Sequence, residues 1–186
     1  MGWLVLGVIV AAALWAVVVY NRLVALRQAV NNAEGDIDVQ LRQRFDLVPQ
    51  LVETVKGYAQ HESGVLERIT EARTAVAAAD TPAAKMAAEA GLSRALGGLI
   101  AVAEAYPDLK ASANFQTLQT QLMDIEDKIA AARRFLNNSV SEYNASIAQI
   151  PAVLFATRLG FAPAQFYDLP ADRAAEINEP VKVSFK

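Results

Sequence analysis

The chain is predicted to be all-helical: an N-terminal transmembrane helix continuing into an antiparallel four-helix bundle of long, coiled-coil-like helices. Three observations predict this. Apolar residues recur at steps of three and four along most of the sequence, which gathers them on one helical face, while the alternation of a half-buried strand is nearly absent. Gly and Pro are few, 9 and 7 in 186 residues, so long helical runs go uninterrupted. The first uncharged stretch is about as long as a bilayer core is thick.

That stretch is Trp3–Tyr20, whose 18 residues would span about 27 Å as a helix. Trp3 and Tyr20 stand at its ends, where interfacial aromatics belong, with Leu14 and Trp15 inside it. These four are the candidate anchor residues. A cleaved signal peptide is the competing reading, because Ala11-Ala12-Ala13 imitates a cleavage site. Against it, no Lys or Arg precedes the run, and the run continues through Leu14–Val19. Arg22 and Arg27 follow directly. By the positive-inside rule they place the N-terminus outside and the rest of the chain in the cytoplasm, as a single-pass membrane protein.

From Asn21 the stripe Leu23, Leu26, Val30, Ala33, Ile37 and Leu41 extends the anchor helix into the first bundle helix. A break or sharp kink is expected at Phe45-Asp46-Leu47-Val48-Pro49. Asp46 is a good N-cap, which would put Pro49 harmlessly in the first turn of a new helix. Inside a continuous helix Pro49 would lose a bond and clash with the Phe45 carbonyl, at about 3 kcal/mol. The second helix carries Val48, Leu51, Val52, Val55, Ala59, Leu66, Ile69 and Val76 and ends near Asp80-Thr81-Pro82. A third places Leu92, Leu96, Leu99, Ala103 and Tyr106 on one face. Its Gly91, Gly97 and Gly98 lower helix propensity but admit a close neighbour.

In the fourth and longest helix, Phe115, Leu118, Leu122, Ile125, Ile129, Ala132 and Leu136 form a coiled-coil-like seam. The seam slips by one residue and resumes at Val140, Tyr143, Ile147 and Ile150, before Pro151. Short loops between such long helices favour antiparallel neighbours. A short helix over Ala152–Leu159 and then irregular chain are expected next. Phe155, Phe161, Phe166 and Tyr167 crowd into this segment and need cover from the bundle, a partner or a membrane surface. In the tail, Val181, Val183 and Phe185 alternate with Lys182 and Ser184, so an extended strand would carry one apolar edge. These seven are the assembly candidates. The organisation is thus 1–21 anchor, 22–151 helical bundle and 152–186 apolar segment and tail.

Charged and polar residues beside the apolar stripes supply a second set of candidates. Gln40, Arg44, Glu53 and Lys56 flank the first seam, and Glu104, Lys110 and Arg133 are candidate partners on facing helices. Such pairs would set helix register more than they would add stability. Glu126-Asp127 with Arg133-Arg134 reads as a solvated, salt-bridged face.

Chemistry is sparse. The formal charge is −3 without a basic cluster, which argues against a nucleic-acid partner. There is no Cys, hence no thiolate metal site, Cys nucleophile or disulfide. The single His61 is followed by Glu62, but a zinc-protease helix needs a second His at position 65, which is Val65. His61 therefore reads as a surface or inter-helix residue. Asp36 and Asp38 point to different faces of a helix and make a poor carboxylate pair. No catalytic residue, cofactor or metal is assigned.

The stretch IDVQLRQRFDLVPQLVETVKGYAQHE (Ile37–Glu62) strongly resembles the signature of the LemA family. Two later stretches match it in the same order, AEAYPDLKASANFQTLQTQLMDIEDKIAAARR (Ala103–Arg134) and EYNASIAQIP (Glu142–Pro151). A departure stands at Phe135-Leu136-Asn137, where the family usually has aromatic residues before the Asn. The resemblance implies a membrane-anchored helical bundle. It also implies association with remodelled membranes in some relatives and with membrane-bound metalloproteases in others. The function expected from all this is a non-enzymatic, membrane-anchored scaffold that contacts lipid and forms homo-oligomers. The alternative is an adaptor or regulator of a membrane protease.

Overall fold

The computed structural model describes residues 1–58 and 62–167. Among the described residues five α-helices follow one another: α1 (Gly2–Lys56), α2 (Ser63–Ala78), α3 (Pro82–Glu104), the short α4 (Pro107–Ala111) and α5 (Ala113–Ala148). Among the described residues there is no strand. Two 3-10 turns, Ala152–Leu154 and Thr157–Leu159, follow α5. The expected tail residues Val181, Val183 and Phe185 lie outside the described residues, as does His61.

The expected break at Phe45–Pro49 is not there. α1 is one helix of 55 residues with Pro49 inside it. Its buried face runs Ile37, Arg44, Val48, Leu51 and Val55, with half-buried Leu41 in the gap, at unbroken steps of four and three. A restart at Asp46 would have rotated the second half of this stripe away from the first. Burying Leu47, Val48, Leu51 and Val55 is worth about 1.5–3 kcal/mol each, which together exceeds the roughly 3 kcal/mol that an interior proline costs. The helix instead stops at Gly57-Tyr58, where the Tyr58 N–H donates to the Val55 carbonyl at 3.0 Å. Because Pro49 is tolerated rather than required, Pro49→Ala is expected to stabilise the fold by about 1 kcal/mol. The restored hydrogen bond is partly offset by lost ring packing and a freer unfolded chain. Urea unfolding checks the sign.

The other boundaries follow their local chemistry. Thr81 caps α3, its hydroxyl accepting from the Ala84 N–H at 3.2 Å, with proline in the first turn. Tyr106-Pro107 separates α3 from α4. The expected single helix over Ala152–Leu159 is two 3-10 turns, closed by a Schellman arrangement. The Phe161 N–H donates to the Ala156 carbonyl at 3.0 Å and the Gly160 N–H to the Thr157 carbonyl at 3.2 Å. Gly160 sits at φ 77°, a conformation that a side chain would strain. The Ile150–Pro151 peptide bond is cis. Ile150, expected in the α5 seam, is 82% exposed, because α5 ends at Ala148 and the helical period no longer sets its direction.

Two compact units make up the chain, and α1 and α5 each contribute to both. Unit 1 comprises Met1–Asp36 and Ala132–Lys186; unit 2 comprises Ile37–Ala131. The core of unit 2 draws Val48, Leu51 and Val55 from α1, Ile69 from α2, and Leu92, Leu96 and Leu99 from α3. Leu109 of α4 and Phe115, Leu122 and Ile129 of α5 complete it. Among the described residues of unit 1 the buried hydrophobic side chains are Leu23, Val30 and Ala33 of α1, Leu136, Val140, Tyr143 and Ile147 of α5, and Ala152, Ala156 and Phe161 beyond it.

Candidate functional site

The anchor candidates form a bare apolar surface. An 18-residue window of α1 near the N-terminus has a mean hydropathy of 2.5 and none of it is buried. Trp3, Leu14, Trp15 and Tyr20 are all exposed, Trp3 at 88%. The described residues contain a second helical stretch long and apolar enough to cross a membrane, Ala84–Glu104. That stretch lies in α3, whose Leu92, Leu96, Leu99 and Ala103 serve the core of unit 2.

The polar centre of unit 2 is built on Arg44. Its side chain is completely buried in the seam of α1. One guanidinium nitrogen donates to Ser93 Oγ and to Glu126 Oε1, both at 2.6 Å; the other donates to the Glu89 carboxylate and to the Glu89 carbonyl. Three helices, α1, α3 and α5, thus converge on one cation. Burial alone would lower the Arg44 pKa. Hydrogen bonds and Coulomb attraction from Glu126 and Glu89 outweigh it and raise the pKa, so the charge is permanent. Arg44 Nε and Gln40 Oε1 are buried without a partner among the described residues.

The partners expected for this cluster are not the ones it has. Glu104 and Lys110 are exposed, as are Glu53 and Lys56, and none of the four takes part in an ion pair among the described residues. Arg133 instead lies over the Tyr167 ring at 4.8 Å. The expected salt-bridged face at Glu126-Asp127 and Arg133-Arg134 is likewise corrected, since Glu126 turns to Arg44. Glu89 and Ser93 went unpredicted. Their signal was present: Glu89 stands three residues before Leu92 and therefore on the buried stripe of α3.

Elsewhere in unit 2, Arg73 lies over the Phe45 ring at 4.2 Å. The Tyr106 hydroxyl donates to Glu62 Oε1 at 3.3 Å. Its pKa is raised, first by loss of solvent and then by the charge and hydrogen bonding of that carboxylate. Lys128 stands with Asp46 and Asp124 along an open groove between α1 and α5.

Unit 1 holds the post-α5 segment against α5. The Asn144 side chain exchanges two hydrogen bonds with the backbone of Ala164, both at 2.9 Å. Asn137 does the same with Tyr167, accepting from its N–H at 2.8 Å and donating to its carbonyl at 3.3 Å. The Tyr143 hydroxyl donates to the Ala162 carbonyl at 3.0 Å. Of the assembly candidates, Phe161 is buried within its own chain, edge-on to the Tyr20 ring at 5.6 Å and under Arg27 at 5.0 Å. Phe155 and Tyr167 are half-buried and Phe166 is exposed.

Among known proteins, a family model described as the LemA family matches residues 33–185. The magnetosome protein MamQ of Magnetospirillum gryphiswaldense is 25% identical over 179 residues, which cover 82% of this chain and 66% of the relative. The magnetosome protein MamQ 2 of Paramagnetospirillum magneticum is 24% identical over 174 residues, covering 80% of this chain and 64% of the relative. Protein LemA of Metamycoplasma hominis is 26% identical over 128 residues, covering 68% and 58%. The chain spans just under two thirds of the length of these two magnetosome relatives.

Proposed function

The chain belongs to the LemA family, and from that premise we propose that it is a non-enzymatic, membrane-anchored helical scaffold that self-assembles and organises a membrane or membrane-bound partners. One observation carries the reading: the apolar beginning of α1 is unburied, yet it continues without interruption into the folded part of the chain. Side chains such as Trp3, Leu4, Val8 and Leu14 cannot remain in water over 18 residues, and a helix of that length matches a bilayer core. An unbroken helix would tie the span directly to the folded chain. In this reading residues 1–21 act as the anchor, 22–151 as an antiparallel four-helix bundle, and part of 152–186 as the contact between copies. Relatives named for the magnetosome fit a role at a membrane.

Arg22 and Arg27 favour the cytoplasm for the folded part of the chain. Met123 is exposed in unit 2, and the chain has no native Cys. A Met123→Cys variant is therefore expected to resist a membrane-impermeant thiol reagent in intact cells and to react after lysis. Ready labelling of intact cells reverses the orientation. Purification of the full chain in mild detergent tests the scaffold itself. A particle of several copies of this chain alone supports it. A stoichiometric membrane protease in the particle, or a strict monomer, rejects it.

A further inference from the structure

Unit 1 carries a second apolar surface, separate in sequence from the anchor. Ile150, Val153, Leu154 and Leu159 stand on the turns after α5 at 82%, 48%, 71% and 50% exposure. They are presented on a defined framework. The Val153 N–H donates to the Gln149 carbonyl at 2.9 Å, and the Phe161 N–H closes the second turn on the Ala156 carbonyl. Four large aliphatic side chains on a closed loop need a partner to cover them.

The position of the loop indicates what covers it. Phe161, which ends the loop, packs edge-on against Tyr20, the last residue of the apolar run. The loop is thereby tied to the level at which the anchor would leave the hydrocarbon. Arg27 closes over the other side of Phe161. Within the described stretches that meet here, the charges have one sign. Residues 1–33 and 143–167 contain no Asp or Glu, whereas Arg22, Arg27 and Arg158 are all exposed. An exposed aliphatic loop that carries Arg158 and is joined through Phe161 to Arg27 suits an interface of acyl chains and anionic headgroups. A second copy presenting the same surface would bring arginine against arginine.

We propose that the loop Ile150–Leu159 is a second, monotopic membrane contact, dipping its aliphatic side chains into the anionic interface beside the anchor. The inference rests on the membrane-anchored reading above and deepens it. With two points held, the anchor helix and the turns after α5, the membrane would fix the tilt of unit 1 as well as its distance from the surface.

The test uses the full chain reconstituted into vesicles of phosphatidylcholine, with and without phosphatidylglycerol. Single cysteines replace Leu14, Met123 or Leu154, and each carries an environment-sensitive fluorophore. Quenching by brominated lipid reports depth. The expected result is quenching at Leu154 between the strong value at Leu14 and the near-zero value at Met123. It should rise with phosphatidylglycerol, by up to about five-fold in interface occupancy for each engaged arginine, and that rise should shrink in Arg158→Ser. If Leu14 is quenched while Leu154 behaves like Met123 in both compositions, the loop contact is wrong and the anchor stands. If Leu14 is not quenched either, the anchor reading itself fails. A Leu154 probe that is shielded from water in detergent, and more so at higher protein concentration, assigns the loop to a second copy and overturns the proposal.

Discussion

Arg44→Met is expected to lose about 3–5 kcal/mol of stability when the full chain is unfolded by urea in mild detergent. The reason is what stays behind. Glu89 is 4% exposed, and without the guanidinium its carboxylate would be left charged, buried and unpaired. Glu126→Gln is expected to cost only about 1 kcal/mol or less, because that side chain is 40% exposed and water can replace the lost partner. The double variant Arg44→Met/Glu89→Met separates stability from specificity. Removing both charges restores an apolar seam, so most of the loss should be recovered, with a coupling between the two sites of roughly 2 kcal/mol or more. A loss below about 1 kcal/mol in Arg44→Met would mean that the cluster is hydrated and unimportant. If the double variant is stable but loses its cooperative transition, the cluster acts as a register device: it admits only the arrangement in which α1, α3 and α5 bring Arg44, Glu89 and Glu126 together.

Replacing both Asn137 and Asn144 by Ala is expected to free Ala162–Tyr167 from α5 while leaving unit 2 folded. Four hydrogen bonds are lost, leaving the backbone N–H and carbonyl groups of Ala164 and Tyr167 without their partners. The sites are partly open to water, so the expected cost is about 2–4 kcal/mol in all. Read by hydrogen exchange, that is a roughly 30- to 700-fold faster exchange of the Ala164 and Tyr167 amides. The pairing depends on matched repeats. Seven helical residues from Asn137 to Asn144 rise about 10.5 Å, and three residues of extended chain from Ala164 to Tyr167 cover about 10 Å. Shifting either Asn by one helix position should therefore fail to restore protection, whereas Asn144→Asp should retain the bond from the Ala164 N–H and part of the effect. Unchanged exchange in the double alanine variant would show that Tyr143 and the packing of Phe161 hold the segment unaided.

Much of the fold was legible in the sequence, because helical periodicity states which face of each helix is buried. Of the stripes as read, Leu23, Val30, Ala33 and Ile37, Leu92, Leu96, Leu99 and Ala103, and Phe115, Leu118, Leu122, Ile125 and Ile129 are buried, while Leu26, Leu41, Tyr106 and Ala132 are half-buried. The Thr81-Pro82 and Tyr106-Pro107 boundaries stand where the Thr81 cap and the two prolines put them. The apolar run before Asn21 needed only its length and lack of charge. Local rules went wrong where tertiary packing outweighed them. At Pro49 a penalty of about 3 kcal/mol favoured a break, and the burial of an unbroken stripe through Val48, Leu51 and Val55 exceeded it. The same stripe, followed from Ile37 through Leu41 to Val48, puts Arg44 in the seam, which the expectation of a break concealed.

What the sequence by itself determined is the helical class, the facing of the stripes, the long apolar N-terminal run and the family. The tertiary structure alone decided which groups meet. Arg44 reaches Glu89 across 45 residues of sequence and Glu126 across 82, and Asn137 and Asn144 hold backbone 20 to 30 residues further on. Periodicity specifies rotation about each helix axis, whereas a pairing also requires how far one helix slides past another. That slide is set by side-chain volumes and by the few polar groups that must find partners once water is excluded.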